Sequence, residues 1–215
     1  MSSRDIILGR IRTRLAAGRR ADVERRAAVQ SHVAAHVQSP RPRPSADLLA
    51  TFGERVSKLA STCDRVAAMG DVPAAIRRYL MEHALPLAAV CWPALAALDW
   101  AGAGIEVESR AARGTDAVGI TGAYCGIAET GTLALLSGPD TPGSVSLLPE
   151  THIAVVDAGR IVDGMEDVWS LLRAERGSLP RAVSFISGPS RTADIEQTVT
   201  LGAHGPSRVH IVLTG

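Results

Sequence analysis

The chain has 215 residues, of which 46% are hydrophobic and 21% charged, the balance of a globular protein with one good-sized core. Aromatic residues make up only 3%, so the core must be aliphatic, and nucleic-acid modules that stack bases on aromatic side chains are disfavoured. The net charge is +1, but residues 1–45 hold ten arginines against three acids. This basic segment could contact nucleic acid or an acidic partner. Because it has no interleaved aromatics, we interpret it as a solvated helix face and expect no nucleic-acid partner.

The first 38 residues predict two short amphipathic helices. Apolar residues recur at Ile7, Ile11 and Leu15, Gly18 is expected to end the first helix, and a second is expected over about 22–37. Alternating prolines in 39–45 predict a linker. We therefore expect a helical arm with its linker over 1–45 and a main domain over 46–215. The arm must pack on its own domain or on a second subunit, which would make a homo-oligomer.

In the main domain, short apolar runs alternate with helical stretches. The predicted strands are 65–68, 87–91, 105–108, 117–121, 131–136, 153–156, 183–186 and 209–213. The predicted helices are 47–59, 72–82, 93–98 and 163–174. This order predicts an α/β fold with a mixed, largely parallel sheet flanked by helices. Loops between 117 and 156 are too short for helices, so part of the sheet should be antiparallel.

Cysteine number and spacing argue against a cofactor in this chain. Cys63, Cys91 and Cys125 are each about 30 residues apart, and an iron–sulfur cluster normally needs four cysteines. A tetrahedral zinc site needs closely spaced pairs, so we expect no metal site either. The N-terminus has no long apolar run, so we expect no signal peptide, no membrane span and a cytoplasmic location.

Three polar, glycine-containing segments lie beside predicted strands: the AETGT segment (128–132), the GPS segment (187–196) and the HGP segment (202–206). The GPS segment follows a strand, where open α/β sheets bind ligands. Its glycine, hydroxyls and arginine suit an anion, with a helix starting about Thr192; the alternative is a plain helix N-cap with Glu196 in the first turn. The residues expected to bind a ligand here are Gly188, Ser190, Arg191, Thr192 and Asp194.

The other two segments offer candidates for proton transfer or nucleophilic attack. Glu129 lies in an apolar stretch, where a carboxylate could be a nucleophile or base; alternatively it is structural and accepts N–H bonds from residues 130–132. His204 could act in proton transfer or be a solvated turn residue. The neighbouring residues Thr130, Gly131, Thr132 and Gly205 are expected to contact the ligand.

Taken in order, these segments resemble the LUD domain of the lactate utilization protein C family. The resemblance consists of AETGT at 128–132, LPETHI at 148–153, GPSRTADIE at 188–196 and GAHGP at 202–206. It covers about residues 117–215 well. It implies a fold related to the sugar-phosphate isomerase and CoA-transferase group.

The resemblance also implies a role in L-lactate utilization, the oxidation of L-lactate to pyruvate, beside partner subunits that carry iron–sulfur clusters. The ferredoxin-type cysteines of such partners are absent here, so the expectation is a non-redox subunit or accessory, with a small-anion pocket. The alternative is an acyl- or CoA-transferase-like, or sugar-phosphate isomerase-like, enzyme that uses Glu129. The Ser-Glu-Asn-Gly box of CoA-transferases is absent, which weakens the enzyme alternative.

Overall fold

This computed structural model describes residues 3–38, 40–192 and 200–215. The chain divides into two compact units, Met1–Pro42 and Arg43–Gly215. In the part of the chain described, no helix is long and apolar enough to cross a membrane.

The first unit is built on one continuous helix, α1, over Ser3–Ala35. The prediction of two helices separated at Gly18 is therefore wrong. A single glycine inside a helix costs only about 1 kcal/mol, and the alanines and arginines that flank it are strong helix formers. The helix ends at His36, whose φ of 47° lies in the left-handed region. Docking of this arm on its own domain or on a second subunit stays a prediction.

The described residues of the second unit form four further α-helices and twelve strands. The helices are α2 (Leu48–Lys58), α3 (Val72–Glu82), α4 (Ser144–Leu147) and α5 (Met165–Glu175). The strands are β1 (Thr62–Val66), β2 (Ala88–Cys91), β3 (Glu106–Ser109), β4 (Val118–Gly122), β5 (Cys125–Ile127), β6 (Thr132–Leu136), β7 (Thr151–Asp157), β8 (Ile161–Val162), β9 (Val183–Ile186), β10 (Arg191–Thr192), β11 (Thr200–Leu201) and β12 (Arg208–Thr214).

Local chemistry explains where these helices begin. The carboxylate of Asp47 accepts a hydrogen bond from the backbone N–H of Ala50 and so caps α2. Pro73 stands in the first turn of α3, where its missing N–H removes no helical hydrogen bond. The helix predicted at 93–98 is only a 3₁₀ turn over Pro93–Leu95.

The main sheet has six parallel strands in the order β1-β12-β7-β4-β2-β3. This confirms the predicted α/β class with its largely parallel sheet. The strand predicted at 65–68 begins earlier, at Thr62, because β1 pairs in register with the buried β12, from Thr62 opposite His210 to Val66 opposite Thr214.

A second sheet of four strands has the order β8-β5-β6-β9. Strand β6 is antiparallel to both β5 and β9, and β8 is parallel to β5. The antiparallel pairing predicted within 117–156 occurs between β5 and β6. It lies in this second sheet and not in one common sheet, because β4 and β7 are parallel neighbours in the main sheet. Strands β5 and β8, of three and two residues, are too short to show a hydrophobic period.

Three apolar clusters hold the layers together. One face of the main sheet packs on α3 through residues such as Ile76 and Leu80. The opposite face packs against the second sheet, with Phe52 and Val56 of α2 in the same cluster. The far face of the second sheet packs on α5. Helix α2 thus joins the core between the two sheets, next to the turns that carry the predicted site.

Two histidines are buried in this core. His152 is 0% exposed and its Nε2 lies 2.8 Å from Thr121 Oγ1, whereas His210 is 1% exposed and its Nδ1 lies 2.8 Å from Thr62 Oγ1. The second ring nitrogen of each has no hydrogen-bond partner in the described part of the chain. Burial away from water disfavours the charged ring and lowers the pKa of both to about 4.

The two histidines predict a loss of stability in acid. Their pKa is about 6.5 in the unfolded chain and about 4 when folded, so between those values the unfolded chain binds more protons. As pH falls from 7 to 4.5, each should remove roughly 2–3 kcal/mol from the free energy of unfolding. We expect urea titrations of His152→Gln and His210→Gln to show a shallower dependence on pH. The exposed His204→Gln is the control, and an equally shallow slope there would contradict this account.

Candidate functional site

The AETGT segment forms the tight turn between β5 and β6. The backbone N–H of Glu129 donates to the carbonyl of Asp163, and that of Gly131 donates to the carbonyl of Ile127. Gly131 has a φ of +64°, a conformation that residues with a side chain rarely adopt. The turn is therefore held to its neighbours by backbone hydrogen bonds.

Helix α2 approaches two glycines of the predicted site too closely for any side chain. A Cβ on Gly131 would lie 2.7 Å from the backbone nitrogen of Val56, and one on Gly188 would lie 2.7 Å from the carbonyl oxygen of Leu59. Gly188 also has a positive φ, of +81°. These two positions thus have a structural requirement for glycine, whatever they contact in a ligand.

We expect Gly131→Ala and Gly188→Ala each to lower the free energy of unfolding by about 2–4 kcal/mol, through the left-handed backbone and the collision with α2. Gly177→Ala is the matched control, since nothing lies within 4 Å of its Cβ position and its φ is not positive; we expect a change of about 0.5 kcal/mol or less there. Chemical denaturation measures all three. Equal effects at the three glycines would show that α2 does not constrain the turns.

The GPS segment continues into a short antiparallel ladder. Arg191 and Thr192 form β10, paired with Leu201 and Thr200 of β11. The helix expected to start about Thr192 is wrong at that residue, because Thr192 is part of this ladder. Asp194 and Glu196 lie outside the described residues.

Ser190 joins the GPS segment to the HGP segment. Its backbone N–H donates to the carbonyl of Pro206 at 2.8 Å, and its carbonyl accepts from the N–H of Gly202 at 2.9 Å. A Cβ on Gly205 would lie 3.4 Å from Ser190 Cβ and 3.7 Å from its Oγ. Two segments separated in sequence are therefore in direct contact, and the hydroxyl of Ser190 lies beside the small Gly205.

A chain of hydroxyls joins the GPS segment to the AETGT segment. Thr130 Oγ1 donates to Thr132 Oγ1 at 2.8 Å, and Thr132 Oγ1 lies 2.7 Å from Ser187 Oγ. Thr132 is buried, whereas Thr130 and Ser187 are exposed. The residue Ser187 was not among the predicted site residues. Its position directly after a strand is the signal that could have found it.

Arg191 is exposed and lies at the end of α2. Its Nη2 donates to the carbonyl of Leu59, the C-cap residue of that helix, at 3.1 Å. A cation suits a helix C-terminus, where the helix dipole is negative. Among the described residues, the side chain of Arg191 therefore has this one hydrogen bond, and a guanidinium has further N–H donors that can bind an anion.

The two proposed proton-transfer residues make fewer contacts in the described part of the chain. Glu129 is half-buried and His204 is exposed, and neither side chain has a hydrogen bond or ion pair to another described residue. The N–H bonds from 130–132 that a structural role for Glu129 would need are not among its contacts. Contacts therefore bring Thr130 and Thr132 together with Ser187, and Ser190 together with Gly205, three residues further along the same segment. Among the described residues, no side-chain hydrogen bond joins Glu129 or His204 to either group.

A cavity of about 860 Å³ lies elsewhere, beside β2 and β3, and none of its lining residues belongs to the three segments. Its lining includes Trp100, Glu106 and Arg110. The guanidinium of Arg110 donates to both carboxylate oxygens of Asp116, at 2.7 and 2.8 Å, and lowers the pKa of that carboxyl to about 2. With its arginine already paired, this cavity is a poor anion site. Within the described ranges, no three or more histidines, cysteines or acids form a group that could hold a metal ion.

Residues 93–214 match the family model of the LUD domain. This match covers more than half of the chain, so the chain belongs to the LUD domain family. The predicted family resemblance is confirmed.

Several curated relatives are similar over the same region. The chain is 40% identical to lactate utilization protein C of Bacillus subtilis over 99 residues, which is 45% of this chain and 41% of that protein. It is 34% identical to lactate utilization protein C of Bacillus licheniformis over 128 residues, 57% of this chain and 52% of that protein. An uncharacterized protein of Neisseria meningitidis is 42% identical over 88 residues, 41% of this chain and 38% of that protein. The chain thus spans about two fifths to half of the length of these relatives.

One solved structure has the same fold. A DUF162 family protein from Deinococcus radiodurans superimposes with a TM-score of 0.60 and 24% identity, over 81% of this chain and 100% of that one. This similarity supports the architecture described above.

Proposed function

We propose that this chain takes part in L-lactate utilization as a subunit without a redox cofactor, and that it holds a small carboxylate-bearing anion where the GPS and HGP segments meet. The names of the Bacillus subtilis and Bacillus licheniformis relatives support the first part. The second part rests on one observation, the double backbone contact that holds Ser190 against Gly202 and Pro206, with Arg191 next to it.

The site has the groups that a small carboxylate needs. Arg191 offers a planar cation that can donate two parallel hydrogen bonds to a carboxylate. Ser190 adds a hydroxyl, and its backbone is fixed by the two hydrogen bonds, so little conformational freedom is lost when a ligand binds. Lactate and pyruvate carry the carboxylate that such a site would recognise.

The positions of the cysteines support a subunit without its own cluster. Cys91 and Cys125 are buried in two different apolar clusters, and Cys63 packs against the third. Burial also raises the pKa of Cys63 and of Cys125 to about 11, which disfavours the thiolate that binds metal. Electron transfer from lactate would then use iron–sulfur clusters in partner subunits.

The site predicts a specific dependence on Arg191. We expect isothermal titration calorimetry to detect pyruvate or lactate binding to the wild type. Arg191→Ala should weaken binding about 10- to 150-fold, as expected for the loss of a charge-assisted hydrogen bond. The loss of its contact with Leu59 should lower the melting temperature only slightly.

Arg181→Ala is the matched control, since Arg181 is also exposed and lies just before β9. It should bind the anion like the wild type. A wild type that binds neither lactate, pyruvate nor inorganic phosphate would contradict the anion site, as would equal affinities of wild type and Arg191→Ala.

A catalytic role for Glu129 is the alternative function. It is favoured by a half-buried carboxylate without a partner among the described residues. Such a group could attack the carbonyl carbon of an acyl-CoA thioester, forming an acyl-enzyme anhydride and releasing CoA as its thiolate.

Release of CoA from acetyl-CoA, followed with a thiol reagent, tests the alternative. If Glu129 is the nucleophile, the wild type should release CoA and Glu129→Gln should not. Asp140→Asn, an exposed acid in the next loop, is the control and should keep the activity. No release above the buffer rate by the wild type would exclude this chemistry for acetyl-CoA.

A further inference from the structure

We propose that Ser187 contacts the anion and that Thr132 positions it, through a directed chain of three hydroxyls that begins at Thr130. This inference rests on the anion site proposed above and adds to it a donor that is not among the predicted ligand-binding residues. The three hydroxyls lead from the AETGT turn, across the paired strands β6 and β9, to Ser187, the first residue of the GPS segment.

Strand pairing places Thr132 and Ser187 opposite each other. Strands β6 and β9 are antiparallel, with Leu133 opposite Ile186, so the next pair along the same register is Thr132 and Ser187. Side chains at directly opposite positions have Cβ atoms about 5 Å apart, close enough for two hydroxyls to bond. The observed distance between their oxygens is 2.7 Å. The pairing of the sheet therefore holds Ser187 in place.

The turn supplies the first hydroxyl. Gly131, in its left-handed conformation, folds Thr130 back so that its hydroxyl donates to Thr132 Oγ1 at 2.8 Å. Thr132 is 2% exposed, so its own proton has no access to water. Its partners among the described residues are the hydroxyls of Thr130 and Ser187.

The three hydroxyls therefore have a fixed order of donor and acceptor. A hydroxyl has one proton to donate, and a buried hydroxyl proton without an acceptor costs about 1–3 kcal/mol. Because Thr132 accepts from Thr130, its proton is used only if it donates to Ser187. Ser187 then accepts from the protein and keeps its own proton for an outside acceptor. An aligned series of hydrogen bonds also strengthens its last donor.

The outside acceptor is expected to be the anion. Ser187 is exposed and precedes Gly188, Pro189 and Ser190, so its free proton lies at the start of the turn that leads to Ser190 and Arg191. A second hydroxyl borders this turn: Ser61 Oγ is buried, has no hydrogen-bond partner in the described part of the chain, and lies 3.5 Å from the Cβ position of Gly188. The turn thus has hydroxyl capacity that its own contacts leave unused.

Pyruvate titrations of four variants test the proposal. Ser187→Ala should weaken binding by about ten-fold or more, the effect of one hydrogen bond to a charged group. Thr132→Val keeps the volume but interrupts the chain, and should weaken binding by about three-fold or more. Thr132→Ser keeps the hydroxyl and should restore affinity to within about two-fold. Ser184→Ala, an exposed serine of β9, the strand that Ser187 follows, is the control.

The outcomes separate this inference from the proposed function. If Arg191→Ala weakens pyruvate binding but Ser187→Ala does not, the anion site stands and the role of Ser187 is wrong. If Thr132→Ser binds as weakly as Thr132→Val, at an unchanged melting temperature, Thr132 does not act through its hydroxyl. If the wild type binds no anion, both proposals are overturned together.

Discussion

The close approach of α2 to two turns is the constraint on which the site depends. The helix ends at Lys58, and its last turn touches Gly131 of one segment and Gly188 of another, at distances that no side chain would permit. Both glycines have a positive φ, and both lack the Cβ that would collide with α2, so each turn can pack directly against the helix. Arg191 then donates a hydrogen bond to the carbonyl of Leu59, the C-cap residue of the helix. The packing of α2 thus positions two turns and an arginine. It also explains why Gly131 and Gly188 must be glycine, whether or not a ligand binds there.

The two sheets explain how segments far apart in sequence become neighbours. The second sheet brings β6 beside β9, so the AETGT turn and the start of the GPS segment come to the same edge. The short ladder between β10 and β11 returns the chain toward Ser190, whose backbone then bonds to Pro206 just before β12 enters the main sheet. The two buried histidines of this unit, His152 and His210, are mostly uncharged at neutral pH, because burial lowers the pKa of each to about 4. The polar groups that can meet an anion are therefore on the turns.

Elements with a long, regular pattern could be predicted from the sequence. Helix α3 has the predicted bounds, and strand β9 also has them, because both carry apolar residues at a clear period. Strands of two or three residues, such as β8 and β10, depend on partners distant in sequence and leave no local pattern. Glycine is common after helix ends, which is why Gly18 predicts one, but the alanines and arginines around it favour the continuous helix. The position of Ser187 directly after a predicted strand is visible in the sequence, whereas its contact with Thr132 comes from the register of β6 against β9 and leaves no local pattern.

The central claim is that the three segments form one anion site, and amide chemical-shift mapping by NMR tests it most directly. Titration of the ¹⁵N-labelled chain with pyruvate should shift the amides of the non-proline residues of 130–132, 187–192 and 202–206 together, with one common dissociation constant. The amides lining the cavity beside β2 and β3 should stay unchanged. Shifts confined to that cavity, or separate dissociation constants for the three segments, would contradict the account.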